Sequence, residues 1–470
     1  MRTSGVLLVT AIALAVGACA TVHNLPLNKP SADPFAGTIT QAAAASARYE
    51  QRQREDDGAA IGLAFSGGGT RGAAFAFGVL QQLERTQAPR AKQPHDLLDN
   101  VSIISSVSGG SIIAAYYGLK GRAAMADFRD QFLTQDLMAE LQTRISLINV
   151  SRAMSGGINT DNTLRDWFNA HLYHDATYGD LIARGRPIVL INATDIYSRT
   201  PFLFAPASFA AMCSDLTEYP VAGAVAASAA VPGAFAPIVI ETFPGECKTP
   251  LPEGVVKAAN NPGASPQLHS FAMALERART GKVKYIKLLD GGLVDNYGLS
   301  GLTIARAASG TPYGPLRPEE GVNMRRLLFV VVDSGLGPQG EWAQTVEGPT
   351  GKDLIGAVID TIVDANTRSS YAAFEATMRQ WREELVRWRC GLKHEDVARL
   401  RGKGGPWNCR DLKITVARVA FDQLDAERAK RLNAVPTSFT LPADTVDELT
   451  RAGGDALVAN PAYQVFLKEM

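Results

Sequence analysis

Three short stretches of this chain carry residues able to do covalent chemistry. Between Val101 and Lys120 a run of β-branched apolar residues breaks at Ser106-Val107-Ser108-Gly109-Gly110 and passes at once into a helical pattern. A serine at such a corner is lifted over the first amides of the helix, where N–H groups and the helix dipole favour developing negative charge. Ser108 is therefore a candidate nucleophile, with Ser106, Gly109 and Gly110 as the small neighbours that a strained elbow demands. The pattern is G-x-S-x-G with Ser106 in the first glycine position. The plain alternative is a small-residue turn that lets a helix pack closely on a sheet.

The second stretch is Gly67-Gly68-Gly69-Thr70-Arg71-Gly72, which follows a short apolar strand. It fits G-x-G-x-x-G, the dinucleotide fingerprint, but that fingerprint also wants a strand ending in Asp or Glu about 20 residues on. Here the interval holds "RAKQPHDLLDN", and the strand that follows ends in Ser108. The other reading is an oxyanion hole, in which bare backbone N–H groups of the glycines approach a reacting carbonyl oxygen. The third stretch is Asp290-Gly291-Gly292, a strand end whose glycines permit close approach. Ser108 needs a base, and no histidine occupies a comparable corner, so Asp290 is the candidate. A carboxylate is a weak base in water and a better one when desolvated and bonded to the serine hydroxyl. A conventional triad through His171 or His174 is the competing arrangement, although both lie in a helical or loop region.

These corners need strands behind them. Apolar runs predict strands at Ile61–Phe65, Val101–Val107, Pro187–Ala193, Pro201–Phe204, 285–290 and 325–333, with helices between them. "AVAASAAVPGAFAPIVI" (224–240) reads as a small-residue helix ending before Pro232 and then a strand. Alternating strands and helices imply a mostly parallel sheet covered on both faces, with ligands at the carboxyl ends of its strands. If the strands behind the three corners are parallel neighbours, the corners converge. Residues 243–282, rich in Pro and Gly, look like an insertion. From Asp353 to Arg389 the pattern is helical, and Tyr371, Phe374, Met378, Trp381, Leu385 and Trp388 form one apolar stripe at steps of three and four. Packing against the domain is the plain account of that stripe, and a membrane or partner face is the sharper one.

Lys+Arg and Asp+Glu both number 47 in 470 residues, so no net field points to nucleic acid. Arg2, the apolar run Val6–Val16 and then Val16-Gly17-Ala18-Cys19 form a secretory signal too short to span a membrane. The small residues before Cys19 resemble a bacterial lipobox, which makes residues 1–18 a signal peptide and Cys19 a lipid attachment point. With Ala20 next, an outer-membrane anchor facing the periplasm is expected. Residues 19–58 then read as a tether with a helical stretch near Ala42–Arg54, 59–340 as the folded domain and 341–470 as a mostly helical extension. Cys213, Cys247, Cys390 and Cys409 remain, and proximity suggests Cys213–Cys247 and Cys390–Cys409 among three possible pairings. No histidine or cysteine spacing suggests a metal.

Taken together, "AFSGGGTRGAAFAFGVLQQL", "SSVSGGS", "INATDIYSRTPFLF", "AVAASAAVPGAFAPI" and "LLDGGLVDNYG" resemble the patatin-like phospholipase family over about residues 60–335. The resemblance implies a three-layer α/β/α fold and a Ser–Asp dyad without histidine. It makes Ser108 the nucleophile and Asp290 the base, with the amides of Gly67–Gly72 as oxyanion hole and Arg71 in the motif's usual Arg position. The apolar surroundings and the anchor suggest a lipid ester, phospholipid or lysophospholipid, as substrate, and no cofactor is expected. The reading that leads is a membrane-anchored lipid acyl hydrolase, and the alternative is a non-catalytic envelope lipoprotein on the same fold.

Overall fold

The computed structural model describes residues 25–38, 58–89, 94–141, 157–337, 340–402 and 407–470. The signal peptide, Cys19 and the expected helix at 42–54 lie outside them. One sheet organises the chain, made of β1 (Ala59–Phe65), β2 (Val101–Val107), β3 (Ile188–Asp195), β4 (Thr200–Leu203), β5 (Ile238–Glu241), β6 (Tyr285–Asp290), β7 (Arg326–Asp333) and β8 (Lys413–Ala420). Its order is β5-β6-β3-β2-β1-β7-β8, with β4 pairing to β3 off that path. β1, β2, β3, β7 and β8 run parallel. The helices that bear on function are α1 (Thr70–Arg85), α2 (Gly109–Lys120), α3 (Val221–Ser228), α4 (Pro266–Arg279), α5 (Gly351–Gly391) and α6 (Ala443–Ala459).

Alternate residues of the central strands feed two cores, which makes the fold a three-layer α/β/α sandwich. Ile61, Leu63 and Phe65 of β1, with Leu328, Val330 and Val332 of β7, pack under α1, α2 and α6. Ala60 and Ala64, with Phe329 and Val331, pack against Phe374, Met378, Trp381 and Leu385 of α5 on the other face. The stripe on α5 is therefore core, and the Phe374 ring lies 4.7 Å from that of Phe329. Burial on both sides is what a near-continuous apolar strand such as "RLLFVVVD" requires.

Two features depart from the pattern read in the sequence. First, β6 is not a parallel neighbour of β1 and β2. It pairs antiparallel with β3, Asp290 opposite Ala193, just beyond the point where β2 stops against Asn192. β6 therefore runs toward the end of β2 from the opposite direction. Its alternating burial, with Ile286, Leu288 and Asp290 inward and Tyr285 exposed, is that of a strand with one open face rather than a parallel strand buried on both. Second, the sheet takes its eighth strand, β8, from the C-terminal part of the chain. In the same region α6 lies along α1 so closely that a Cβ on Gly78 would run into the Thr450 carbonyl. The 243–282 segment folds into a short helix (Glu253–Ala259) and α4, which share a small core with Leu203 and Ile304. Cys213 is bonded to Cys247 and Cys390 to Cys409.

Candidate active site

Ser108 sits between the end of β2 and the first turn of α2 with φ 52° and ψ −124°. A positive φ on a residue bearing a Cβ costs of order 1–3 kcal/mol and persists only where the surroundings over-determine it. Here they do. The Ser108 N–H donates to Ser228 Oγ at 2.9 Å, and Ser228 Oγ donates to the Asn192 carbonyl at 2.6 Å. Ser111 Oγ lies 2.9 Å from Ser228 Oγ and 3.1 Å from Ser106 Oγ. Ser106 donates in turn to the Leu190 carbonyl at 3.3 Å, so the serine in the first glycine position is accommodated with its hydroxyl satisfied. Gly109 is a steric necessity, because a Cβ there would run into the Gly69 carbonyl.

Asp290 meets this corner head-on. Its Oδ1 accepts the Gly292 N–H at 2.8 Å, and its carboxylate lies close enough to the Ser108 hydroxyl to feel it. Burial pushes the acid up to about 6, against the Gly292 hydrogen bond and the nearby Ser108 hydroxyl, which favour the charged form. Its backbone is held by the Ala230 carbonyl (2.9 Å) and by Thr194 Oγ1 (2.8 Å). The Gly291 N–H donates to the Ser228 carbonyl at 3.2 Å. Ser228 therefore fastens both corners, the serine through its side chain and the aspartate through its main chain.

The glycine loop lies over the same point, and the position a Cβ would take on Gly67 is 3.1 Å from Ser108 Cβ. Gly68 and Gly69 have φ of 124° and 59°, which glycine adopts freely. Not every amide of the loop is available. The Gly67 N–H donates to the Asn296 carbonyl (3.2 Å), Thr70 to Ser438 (2.8 Å) and Gly72 to Gly68 (3.4 Å). Those of Gly68, Gly69 and Arg71, and of Gly109 beside the serine, carry no hydrogen bond among the described residues. The Arg71 side chain is taken up by carbonyls of the C-terminal part of the chain. Its Nε donates to the Ser334 carbonyl (2.9 Å) and a terminal nitrogen to the Val435 carbonyl (2.7 Å). Burial lowers its pKa to about 10, still well above neutrality.

The histidines go elsewhere. His171 Nδ1 is 2.9 Å from the Trp167 carbonyl and its ring stacks on Trp167, while His174 ends that helical turn in a left-handed conformation. No group of three or more His, Cys, Asp or Glu able to hold a metal occurs among the described residues.

Sequence reasoning missed Ser228, Ser111, Asn192 and the Ser438 carbonyl. Only Ser228 left a trace, as the one polar side chain of the helix "VAGAVAAS". The others become visible only when distant segments meet.

Fold and site together define a three-layer α/β/α protein with a polar cluster at the carboxyl ends of its central strands. The chain belongs to the patatin-like phospholipase family, whose model matches residues 63–303, just over half of its length. Among solved structures it is similar to human GIVD cytosolic phospholipase A2, at 10% identity and a TM-score of 0.42. The alignment covers 95% of this chain and 65% of that one, so this chain spans just under two thirds of that protein's length. No curated protein matches.

Proposed function

We propose that this protein is a lipid acyl hydrolase working through Ser108 and Asp290, and that Cys19 anchors it to the outer membrane of a bacterial envelope. The observation that carries the catalytic part is the meeting of a strained corner serine with a buried carboxylate, both corners fastened by Ser228, where burial raises the carboxylate's affinity for a proton. Family membership supports the substrate class, a phospholipid or lysophospholipid ester.

Ser108 Oγ attacks the ester carbonyl and its proton passes to Asp290. The resulting oxyanion takes hydrogen bonds from the unoccupied amides of the glycine loop and from Gly109, each donor worth about 3–4 kcal/mol in a dry site. Collapse expels the lysolipid alcohol, which leaves with the proton from Asp290, and the acyl group stays on Ser108. Water then attacks the acyl-enzyme and gives its proton to Asp290. The second collapse releases the fatty acid and returns the proton to Ser108 Oγ.

The test is fluorophosphonate labelling and phospholipid hydrolysis by the parent beside Ser108→Ala and Asp290→Asn. Labelling confined to chains that keep Ser108, with hydrolysis lost in both variants, is the expected result. A folded parent that neither labels nor hydrolyses any ester would instead make the chain a non-catalytic scaffold.

A further inference from the structure

Thirteen large apolar side chains are exposed among the described residues, and nine of them lie on one edge of the molecule, the edge toward which the parallel strands point. They come from three parts of the chain. α5 is fixed at the opposite edge by Arg389, which donates to the Met324 carbonyl just before β7 (2.9 Å). At the level of the candidate site it is fixed by Asn366, on the Leu293 carbonyl (2.8 Å), and by Ser370, on Asp295 (2.9 Å). Its first fifteen residues, 351–365, continue past that level for about four turns. There Leu354, Val358 and Ile362, spaced by four, are each about half exposed, and Trp342 and Val346 precede them in the connecting segment.

The second part is the tip of β6 with the turn between β3 and β4. Tyr285 lies five residues before Asp290, about 17 Å along the strand; Ile196 continues the ladder with its N–H on the Lys287 carbonyl (3.2 Å), and Tyr197 follows in the turn. The ammonium groups of Lys284 and Lys287 stand 5.2 and 5.3 Å from the centroid of the Tyr285 ring. Aromatic rings flanked by lysines suit a headgroup boundary, with apolar bodies inside and charges snorkelling out. The third is the point where the N-terminal segment leaves. Asn28 exchanges two hydrogen bonds with the Glu241 backbone (2.8 and 2.9 Å), and Glu241 is registered opposite Tyr285. Leu25, 74% exposed, is the first described residue, six positions after Cys19.

We infer that this edge is a docking face for a lipid bilayer. Its two rims, the α5 arm and the β6 tip, are rooted within a few residues of each other on either side of Asp290. The N-terminal segment, whose sequence carries the candidate lipid attachment point Cys19, joins the described chain at the second rim. A bilayer laid across both rims stands over Ser108 and supplies acyl ester directly to it. This last point rests on the hydrolase reading, whereas the docking itself does not.

The test is hydrogen–deuterium exchange on the full chain with and without phosphatidylcholine vesicles. Protection on vesicles is expected at 196–199, 283–287 and 354–362, and not around Val458 and Val465, which are exposed on other elements. Unchanged exchange at all three segments on vesicle-bound protein overturns the proposal. So does protection that appears on concentrating the protein without lipid, which would assign the face to a second copy of the chain. Val358→Asp with Ile362→Asp is expected to lower the ratio of vesicle-phospholipid to soluble-ester turnover at least ten-fold, and Val458→Asp with Val465→Asp to leave it unchanged. A parent that hydrolyses neither ester removes the catalytic reading while the exchange result still decides docking.

Discussion

Asp290 is asked to ionise where ionisation is resisted. The difference between its folded value of about 6 and the ordinary 3.8 amounts to about 3 kcal/mol against the charged form. Because the folded value is the higher one, the acid's contribution to stability is full below about pH 3.8 and is lost as pH rises through about 6. Asp290→Asn keeps an oxygen for the Gly292 N–H and removes the buried charge. Denaturant unfolding should find this variant more stable than the parent by about 3 kcal/mol at pH 8 and scarcely different at pH 4, with hydrolysis abolished. For the parent, kcat/KM should fall ten-fold per unit below about pH 6 as the base takes up its proton. Ser108 holds strain of a different kind. Ser108→Gly releases the positive φ and should add about 1 kcal/mol of stability while removing labelling and turnover, whereas Ser108→Ala keeps the strain.

Between residue and whole lie the elements that bring the corners together. The small-residue helix α3 ends in Ser228, which fastens Ser108 with its hydroxyl and Gly291 with its carbonyl. Ser228→Ala leaves the Ser108 N–H and the Ser111 hydroxyl without that partner in a buried place. The expected cost is about 1–3 kcal/mol in urea unfolding, together with a drop in kcat larger than any change in KM. The glycine loop is fastened from the C-terminal part of the chain, through the Arg71 guanidinium on the Ser334 and Val435 carbonyls and through the Ser438 carbonyl on the Thr70 amide. Lysine cannot reproduce the two divergent N–H directions of arginine. Arg71→Lys should therefore loosen the loop, read as slower turnover with fluorophosphonate labelling still detectable. The family match ends at residue 303, yet α6 covers α1 and β8 closes the sheet beside β7. A chain ending at residue 340 bares both surfaces and should be recovered as insoluble protein.

At the scale of the molecule, a two-sided core and two disulfides brace the sheet and the helices around it. The Cys213–Cys247 bond closes a loop between residues 34 apart, outside the candidate site. Replacing both cysteines by alanine should lower unfolding stability by about 3–4 kcal/mol and leave the kinetic constants at 25 °C near those of the parent. Much of this architecture was legible in the chain. Seven of the eight strands, the helix after Ser108 and the two-face burial of β7 follow from apolar runs and glycine corners, because burial on a pleated sheet writes itself into local residue choice. Ser108 and the glycine loop stood out as candidates because a corner of positive φ admits few residue types, and Asp290 because its strand ends in two glycines. The antiparallel entry of β6, the Ser228 bridge, the occupied amides of Gly67 and Thr70 and the turning of Arg71 toward the C-terminal carbonyls were not legible. Each depends on which of several similar strands or carbonyls lies opposite, over sequence separations of up to several hundred residues. No local pattern encodes that choice. The sequence by itself determined which residues are candidates at the three corners, because few residue types suit them, and only the packing of the whole chain decided which of their hydrogen-bonding groups are occupied and which stay open.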